Sequence, residues 1–288
     1  MIIVKIIGGL GNQLFQYAYA KSLQQKGYKV KIDIDKNEHA TFHYGYFLDG
    51  YFIDIESATE EDLSQYKFSN IMTKLKKKIG LTNQNFIKEP NLLFSNKLLS
   101  PKDNSYIQGY FQSEQYFFQI RDTLLSQIVL KNSLSAYGTN IQKKIRASNI
   151  SCSIHIRRTD YVSSRATNKV HGTLDMNYYI NSIKLLEKRF SKNIHFFLFS
   201  DDIEWVVDNL KIKNSTYIIN DSNRNPNEDM FLMSHCNHNI IANSTFSWWG
   251  AWLNTNPNKM VVAPRRWFLD EKLQKESVDI FCNDWVKI

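Results

Sequence analysis

From residue 152 to residue 264 the sequence alternates short apolar runs with helical patterns, and no other feature restricts the fold as strongly. The runs "CSIHI" (152–156), "IHFFLF" (194–199), "TYIIN" (216–220), "NIIA" (239–242) and "MVVAP" (260–264) are strand-like. Between them lie helical stretches at 176–190, near 202–210, at 228–236 and at 245–253. Such alternation is the pattern of a parallel, doubly wound sheet covered by helices on both faces. The chain opens in the same way. An apolar run at 2–7 meets a glycine turn, a helical pattern follows over 13–26, and a strand is predicted at 28–34, where Val30, Ile32 and Ile34 alternate with Lys29, Lys31 and Asp33. The polar stretch "KNSLSAYGTN" (131–140) reads as a linker, so two Rossmann-like domains are expected, 1–146 and 147–288. Such folds hold ligands beyond the carboxyl ends of their strands, which directs attention to the loops after residues 7, 156, 199 and 242.

Composition removes several classes of function. A chain of 288 residues with 43% hydrophobic and 22% charged side chains folds without recourse to disorder. Cys152, Cys236 and Cys282 are too far apart for a CxxC or Cys/His ligand set and are expected as reduced, small hydrophobes. No run of about 18 apolar residues is present, and the apolar start is too short for a signal peptide, so a cytoplasmic protein without a transmembrane segment is expected. The net charge of +8 favours acidic partners. Nucleic acid is disfavoured, because no RNA-recognition aromatics, helix-turn-helix spacing or zinc finger occur. The basic run Lys74 to Lys78 suits a helix with one basic face, either solvated or set against an anionic membrane.

The opening "GGLGNQ" (8–13) imitates a dinucleotide-binding turn, but Leu14 stands where the third glycine belongs, which argues against a nicotinamide oxidoreductase. The turn instead presents two amides, Asn12 and Gln13. Asn12 reads either as a helix cap or as a donor aimed at a ligand. "HIRRTD" (155–160) ends a strand, so His155 and Arg157 share one face and Arg158 takes the other. Two arginines there suit capture of phosphate oxygens, with Asp160 placed to hold one of them. "NSTFS" (243–247) precedes a tryptophan-rich helix and offers hydroxyls and backbone N–H groups to an anion. Trp248, Trp249 and Trp252 are expected in the core, with sugar stacking as the alternative. Glu228 and Asp229 open the preceding helix and either complement its dipole or bind a base or ribose. In "FSDD" the adjacent Asp201 and Asp202 do not make a DxD metal site, and Asp202 is expected as a helix cap. No metal is assigned.

In this order, "GGLGNQLFQYAYAKSL" (8–23), "GYFQSEQYF" (109–117), "HIRRTDY" (155–161), "FSDD" (199–202) and "EDMFLMSHC" (228–236) with "IIANSTFSWWGAWL" (240–253) resemble the inverting α-1,2-fucosyltransferase family. The resemblance implies a GT-B type α/β fold, two facing Rossmann-like domains, the second of which binds the donor GDP-fucose without a metal cofactor. It implies transfer to the 2-hydroxyl of a galactose residue in an oligosaccharide acceptor, as a galactoside 2-alpha-L-fucosyltransferase. For a bacterial chain the expected setting is O-antigen or capsule synthesis, with a lipid-linked acceptor at the inner face of the inner membrane. Carried over to this sequence, the donor is bound by His155, Arg157, Arg158, Asp229, Ser244, Thr245 and Phe246, and Arg157 contacts the diphosphate. Thr245 and Ser247 compete for one of these offsets. Asn12 is placed near the reacting centre. The glutamate that the core α-1,6 enzymes carry beyond their arginines is absent from "YVSSRATNK" (161–169), which leaves Asp160 either as the proton acceptor or as the group that orients an arginine. Acceptor choice is expected between about residues 36 and 104. The remaining readings are another acceptor linkage and a non-catalytic carbohydrate-binding protein.

Overall fold

A computed structural model describes residues 1–34, 45–64, 66, 85–190, 193–218 and 225–288, with the side chains of Asp160 and Ser163 outside the description. The basic run Lys74 to Lys78 lies outside the described residues. The chain divides into two compact units, Met1–Ile128 and Val129–Ile288.

The N-terminal unit carries β1 (Ile2–Ile6), β2 (Val30–Ile34), β3 (Phe86–Lys88) and β4 (Ser105–Gln108) in the order β2-β1-β4-β3, with every pairing parallel. β1 is central, and its Ile2, Ile3, Val4 and Ile6 are buried, as in a sheet covered on both faces. Helix α1 (Leu10–Gln25) follows it and is buried almost all round, from Leu10 through Leu23. Leu14 is fully buried, so the position of the missing glycine is filled by core. The short helices α2 (Glu60–Ser64) and α3 (Arg121–Gln127) also belong to this unit. Ahead of α3 the chain makes two 3-10 turns, Glu114–Tyr116 and Phe118–Ile120, the first capped by Ser113.

The C-terminal unit begins with α4 (Ala136–Ala147) and β5 (Ile150–Ile156), followed by α5 (Thr159–Ser163), α6 (Arg165–Val170) and α7 (Met176–Phe190). Then come β6 (Ile194–Ser200), α8 (Ile203–Asn209), β7 (Ser215–Tyr217), α9 (Pro226–Ser234), β8 (His238–Ile240) and α10 (Thr245–Trp252). β9 (Val261–Ala263), α11 (Glu271–Glu276) and β10 (Val286–Lys287) end it. All its strands are parallel, in the order β10-β9-β8-β5-β6-β7. The expected alternation is therefore found, and so is the two-unit α/β architecture with parallel sheets. Cys152, Ile154, Phe196, Leu198 and Ile240 from adjacent strands pack with Leu186 and Val206 from the covering helices. All three cysteines are free and buried.

The polar stretch at 131–140 is only in part a connection, because α4 starts at Ala136 within it. Ser135 caps this helix, and the Glu228 carboxylate from α9 accepts hydrogen bonds from the Ser135 backbone N–H (2.9 Å) and hydroxyl (2.7 Å). A Cβ at Gly138 would overlap Glu228. α4 thus belongs to the second unit, and the division falls at 128/129 rather than at 146/147.

In each sheet neighbouring strands occur whose connections run to opposite flanks. The chain runs from β5 outward to β6 and β7, then returns to β8 on the other flank of β5; in the first unit the reversal lies between β1 and β4. Crevices outside the carboxyl ends of parallel strands at such reversals are where open α/β sheets bind ligands.

Candidate functional site

At the β5/β8 reversal, His155 is the penultimate residue of β5 and is 5% exposed. Its ring lies 5.4 Å from that of Phe246, and its Nδ1 has no hydrogen-bond partner among the described residues. Burial pushes its pKa down to about 4 against the opposing pull of Asp201, so the imidazole is neutral at pH 7. Beyond the strand the two arginines diverge. Arg157 Nη1 stands 3.0 Å from Asp201 Oδ2, whereas Arg158 Nε stands 3.2 Å from Asp202 Oδ2, with its guanidinium 3.4 Å above the Trp205 ring. Asp202 also caps α8, as expected. Asp201 was not anticipated. From the end of β6 its carboxylate accepts from the backbone N–H of Arg158 (2.8 Å) and Thr159 (3.2 Å) while facing Arg157, so one side chain sets the shape of the whole turn. The signal was its place just past a strand end. Asp160 lies in α5, and the arrangement of its side chain is outside the description.

The other wall is the start of α10. Helices α4, α6, α8, α9 and α11 are each closed by a side-chain cap, from Ser135, Ser164, Asp202, Asn225 and Asp270. Ser244, at the N-cap of α10, makes no such bond, and no acid stands in the first turn. Ser244, Thr245 and Phe246 are half-buried, so the uncapped, positive end of this helix is partly exposed and carries two hydroxyl residues. Ser247 is buried and its hydroxyl bonds within the turn, to Ala242 N (3.2 Å) and Ser244 O (3.2 Å), so it braces rather than lines the wall. Asn243 is a strut: its amide donates to the carbonyls of His171 (3.1 Å), Gly172 (3.3 Å) and Trp267 (3.1 Å). The Tyr161 hydroxyl donates to Asn243 O (3.0 Å) and so ties α5 to this turn. Trp248, Trp249 and Trp252 are at most 1% exposed, which overturns the stacking reading and leaves them as the rigid base of the helix. Asp229 occupies the first turn of α9, half-buried, next to the structural Glu228. Among the described residues no group of three or more His, Cys, Asp or Glu is arranged to hold a metal ion. No described helix is long and apolar enough to cross a membrane.

At the β1/β4 reversal of the first unit, Gly8 adopts φ +76° and Gly9 is the N-cap of α1. Asn12 is therefore inside the first turn, and the cap reading is overturned. Its Oδ1 accepts from Gln112 Nε2 (2.9 Å), which leaves Nδ2 without a partner among the described residues. Gln13 is fully buried and bonded to Gly8 O (2.8 Å), Gly45 O (2.8 Å) and Phe47 N (2.9 Å), so it builds the turn and presents nothing outward.

The sequence model of glycosyl transferase family 11 matches residues 1–288. An alpha-1,2-colitosyltransferase of Escherichia coli is 36% identical, covering 100% of this chain and 99% of its own length. The O-antigen biosynthesis glycosyltransferase WbnK of Escherichia coli is 33% identical, over 96% of this chain and 98% of its own. Among solved structures, NodZ alpha-1,6-fucosyltransferase soaked with GDP-fucose superposes with a TM-score of 0.52 at 14% identity, covering 95% of this chain and 96% of that one, a likeness of fold.

Proposed function

This chain belongs to glycosyl transferase family 11, and on that premise we propose that it moves a 6-deoxy-L-hexose from its GDP-linked form to the 2-hydroxyl of a galactose residue, with inversion, during O-antigen or capsule assembly. The observation that carries the reading is the carboxyl end of β5, where the ring of a neutral buried His155 meets Phe246 in the first turn of the uncapped α10 and Arg157 follows two residues on. Such a set matches a diphosphate, whose oxygens accept from Arg157 and from the N–H groups of Thr245 and Phe246, with the Ser244 and Thr245 hydroxyls beside them. As the bond from sugar to GDP loosens, negative charge grows on the departing diphosphate, and these donors stabilise it without needing to reorganise. They also supply the neutralisation for which other enzymes use a divalent cation, so activity without added metal is proposed. His155 contributes a ring N–H at a fixed angle, Arg158 supports the wall, and Asp229 addresses base or ribose. Asn12 Nδ2 addresses the transferred sugar, and Asp160 accepts the acceptor proton or orients an arginine. The acceptor is a galactose-terminated oligosaccharide, carried on a lipid at the cytoplasmic face of the membrane.

Fucose is the donor sugar that the motifs favour. Colitose, which is fucose without its 3-hydroxyl, is a second reading favoured by the 36% identical relative. The test is GDP release from GDP-fucose and from GDP-colitose, with lactose and a panel of β-galactosides, in the presence of EDTA. Turnover with one donor and a galactoside is expected. Inactivity on every galactoside with either donor refutes the acceptor class, and a strict need for metal refutes the charge assignment.

A further inference from the structure

We propose that Glu89 is a positioning residue for Asn12, acting through the loop of residues 109–112. The inference rests on the reading of Asn12 as a group that addresses the transferred sugar. Glu89 directly follows β3, precedes Pro90 and is buried, and its backbone N–H continues the ladder to Gln108 O (2.8 Å). Its carboxylate turns back over the end of β4 and accepts from the N–H of Tyr110 (2.6 Å) and of Phe111 (3.2 Å). Gly109 is what lets it pass, since a Cβ there would lie 2.5 Å from Glu89 Cβ. The loop is held in an unusual shape. Phe111 has φ +51°, a region costly for a bulky side chain, and is kept there by the Glu89 bonds and by its ring stacked 3.9 Å from Tyr19. One residue later Gln112, buried, donates to Asn12 Oδ1 and thereby points Nδ2 away from the loop. The chain of contacts runs Glu89, Phe111, Gln112, Asn12, and it crosses the β1/β4 reversal where this sheet would receive a ligand.

A buried carboxylate used only to close a loop needs no charge, and a glutamine would serve. Here Oε2 accepts from the N–H of Tyr110 and both oxygens share that of Phe111 (3.2 and 3.3 Å); the ionised form offers an acceptor at each oxygen, whereas a glutamine turns an NH2 donor toward one side of the Phe111 N–H. Burial pushes the Glu89 carboxyl up to about 7, against the two N–H bonds that pull it down. The titratable groups around it are Tyr19 on α1, with Tyr116 packed against Tyr19 from the 3-10 turn, and exposed Lys88 on β3. Tyr19 is raised far above the ordinary phenol range by its burial, so it stays neutral while Glu89 titrates.

With whichever donor the wild type uses, Glu89→Gln is expected to lower kcat roughly tenfold, with KM for the donor and GDP affinity near wild type. Wild-type kcat should rise with pH through about 7, and that limb should be absent in Glu89→Gln. Gln112→Ala removes the last link without touching the carboxylate and should cost a similar factor. The double variants with Asn12→Ala should lose no more than Asn12→Ala alone. Losses that multiply, or a Glu89→Gln profile that superposes on the wild type, overturn the inference. A chain inert toward every donor and galactoside refutes the proposed function instead, and the clamp is then judged by amide hydrogen exchange. Exchange at Tyr110 and Phe111 should speed at least tenfold in Glu89→Gln, and unchanged protection overturns the clamp.

Discussion

Helices α1 and α10 both leave a parallel strand at the reversal of their sheet, both lack a side-chain cap, and neither has an acid in its first turn. Their surroundings differ. At α1 the amides of Gln13 and Gln16 are buried and bonded to backbone carbonyls, and the outward group is one neutral amide, Asn12. At α10 two half-buried hydroxyl residues, Ser244 and Thr245, open the helix, and a neutral histidine lies against Phe246 in the same turn. The same backbone device therefore stands in two chemical settings. A helix end furnished with cations binds phosphate oxygens, whereas one furnished with neutral donors suits hydroxyls and ring oxygens, where a fixed charge would be costly to desolvate.

The sharpest way to break this contrast is Arg157→Ala, expected to lower kcat/KM by about 100- to 1000-fold and to weaken GDP in calorimetry. Undiminished GDP release would remove the arginine from the reaction. Next in size is a difference in pH response. His155 has a folded pKa below its unfolded value, so its stabilisation is present above about 6.5 and is lost as pH falls toward about 4, on the order of 3 kcal/mol. Glu89 is raised, so its contribution is full below about 4.3 and is lost as pH rises through about 7. Thermal melts from pH 4 to 8 should show His155→Gln flattening the acid side and Glu89→Gln the neutral side. Asn12→Ala should reduce kcat about 10- to 100-fold with GDP affinity unchanged, and a matching loss of GDP binding would erase the division of labour. Gly8→Ala places a Cβ 2.8 Å from Asn12 Nδ2 at φ +76° and should lower stability by about 1–2 kcal/mol in denaturant titration. Thr245→Val, an isosteric loss of one hydroxyl, should weaken GDP by about 1 kcal/mol, roughly fivefold.

The parallel sheets were legible because buried strands and amphipathic helices leave strong periodic patterns; α7 was predicted over its full length, Met176–Phe190. Elements stabilised by distant partners were not. Gly138 and its polar neighbours look like loop until Glu228, far along the chain, is seen against the start of their helix. β3 and β10 are too short to carry a pattern. The site divided in the same manner. His155, Arg157, Arg158 and the 244–246 turn stood out by residue type at a strand end, and the structure sets the His155 ring beside that of Phe246; the arginines, for which Asp160 was the expected partner, pair instead with Asp201 and Asp202. Asp201 and Glu89 act by bonding to backbone in other loops; a place just past a strand end is the one local signal Asp201 carries, and β3 is too short to give Glu89 even that.

The Glu228 clasp on Ser135 also says where this protein can be cut and rejoined. A hybrid that grafts residues 1–128 onto a relative's second half keeps the clasp intact, because both of its ends come from one parent. A junction at 146/147 separates them, and a foreign α4 with any residue larger than glycine at position 138 strikes the carboxylate it was meant to receive. For exchanging one glycan specificity for another, the seam is set by that single buried acid.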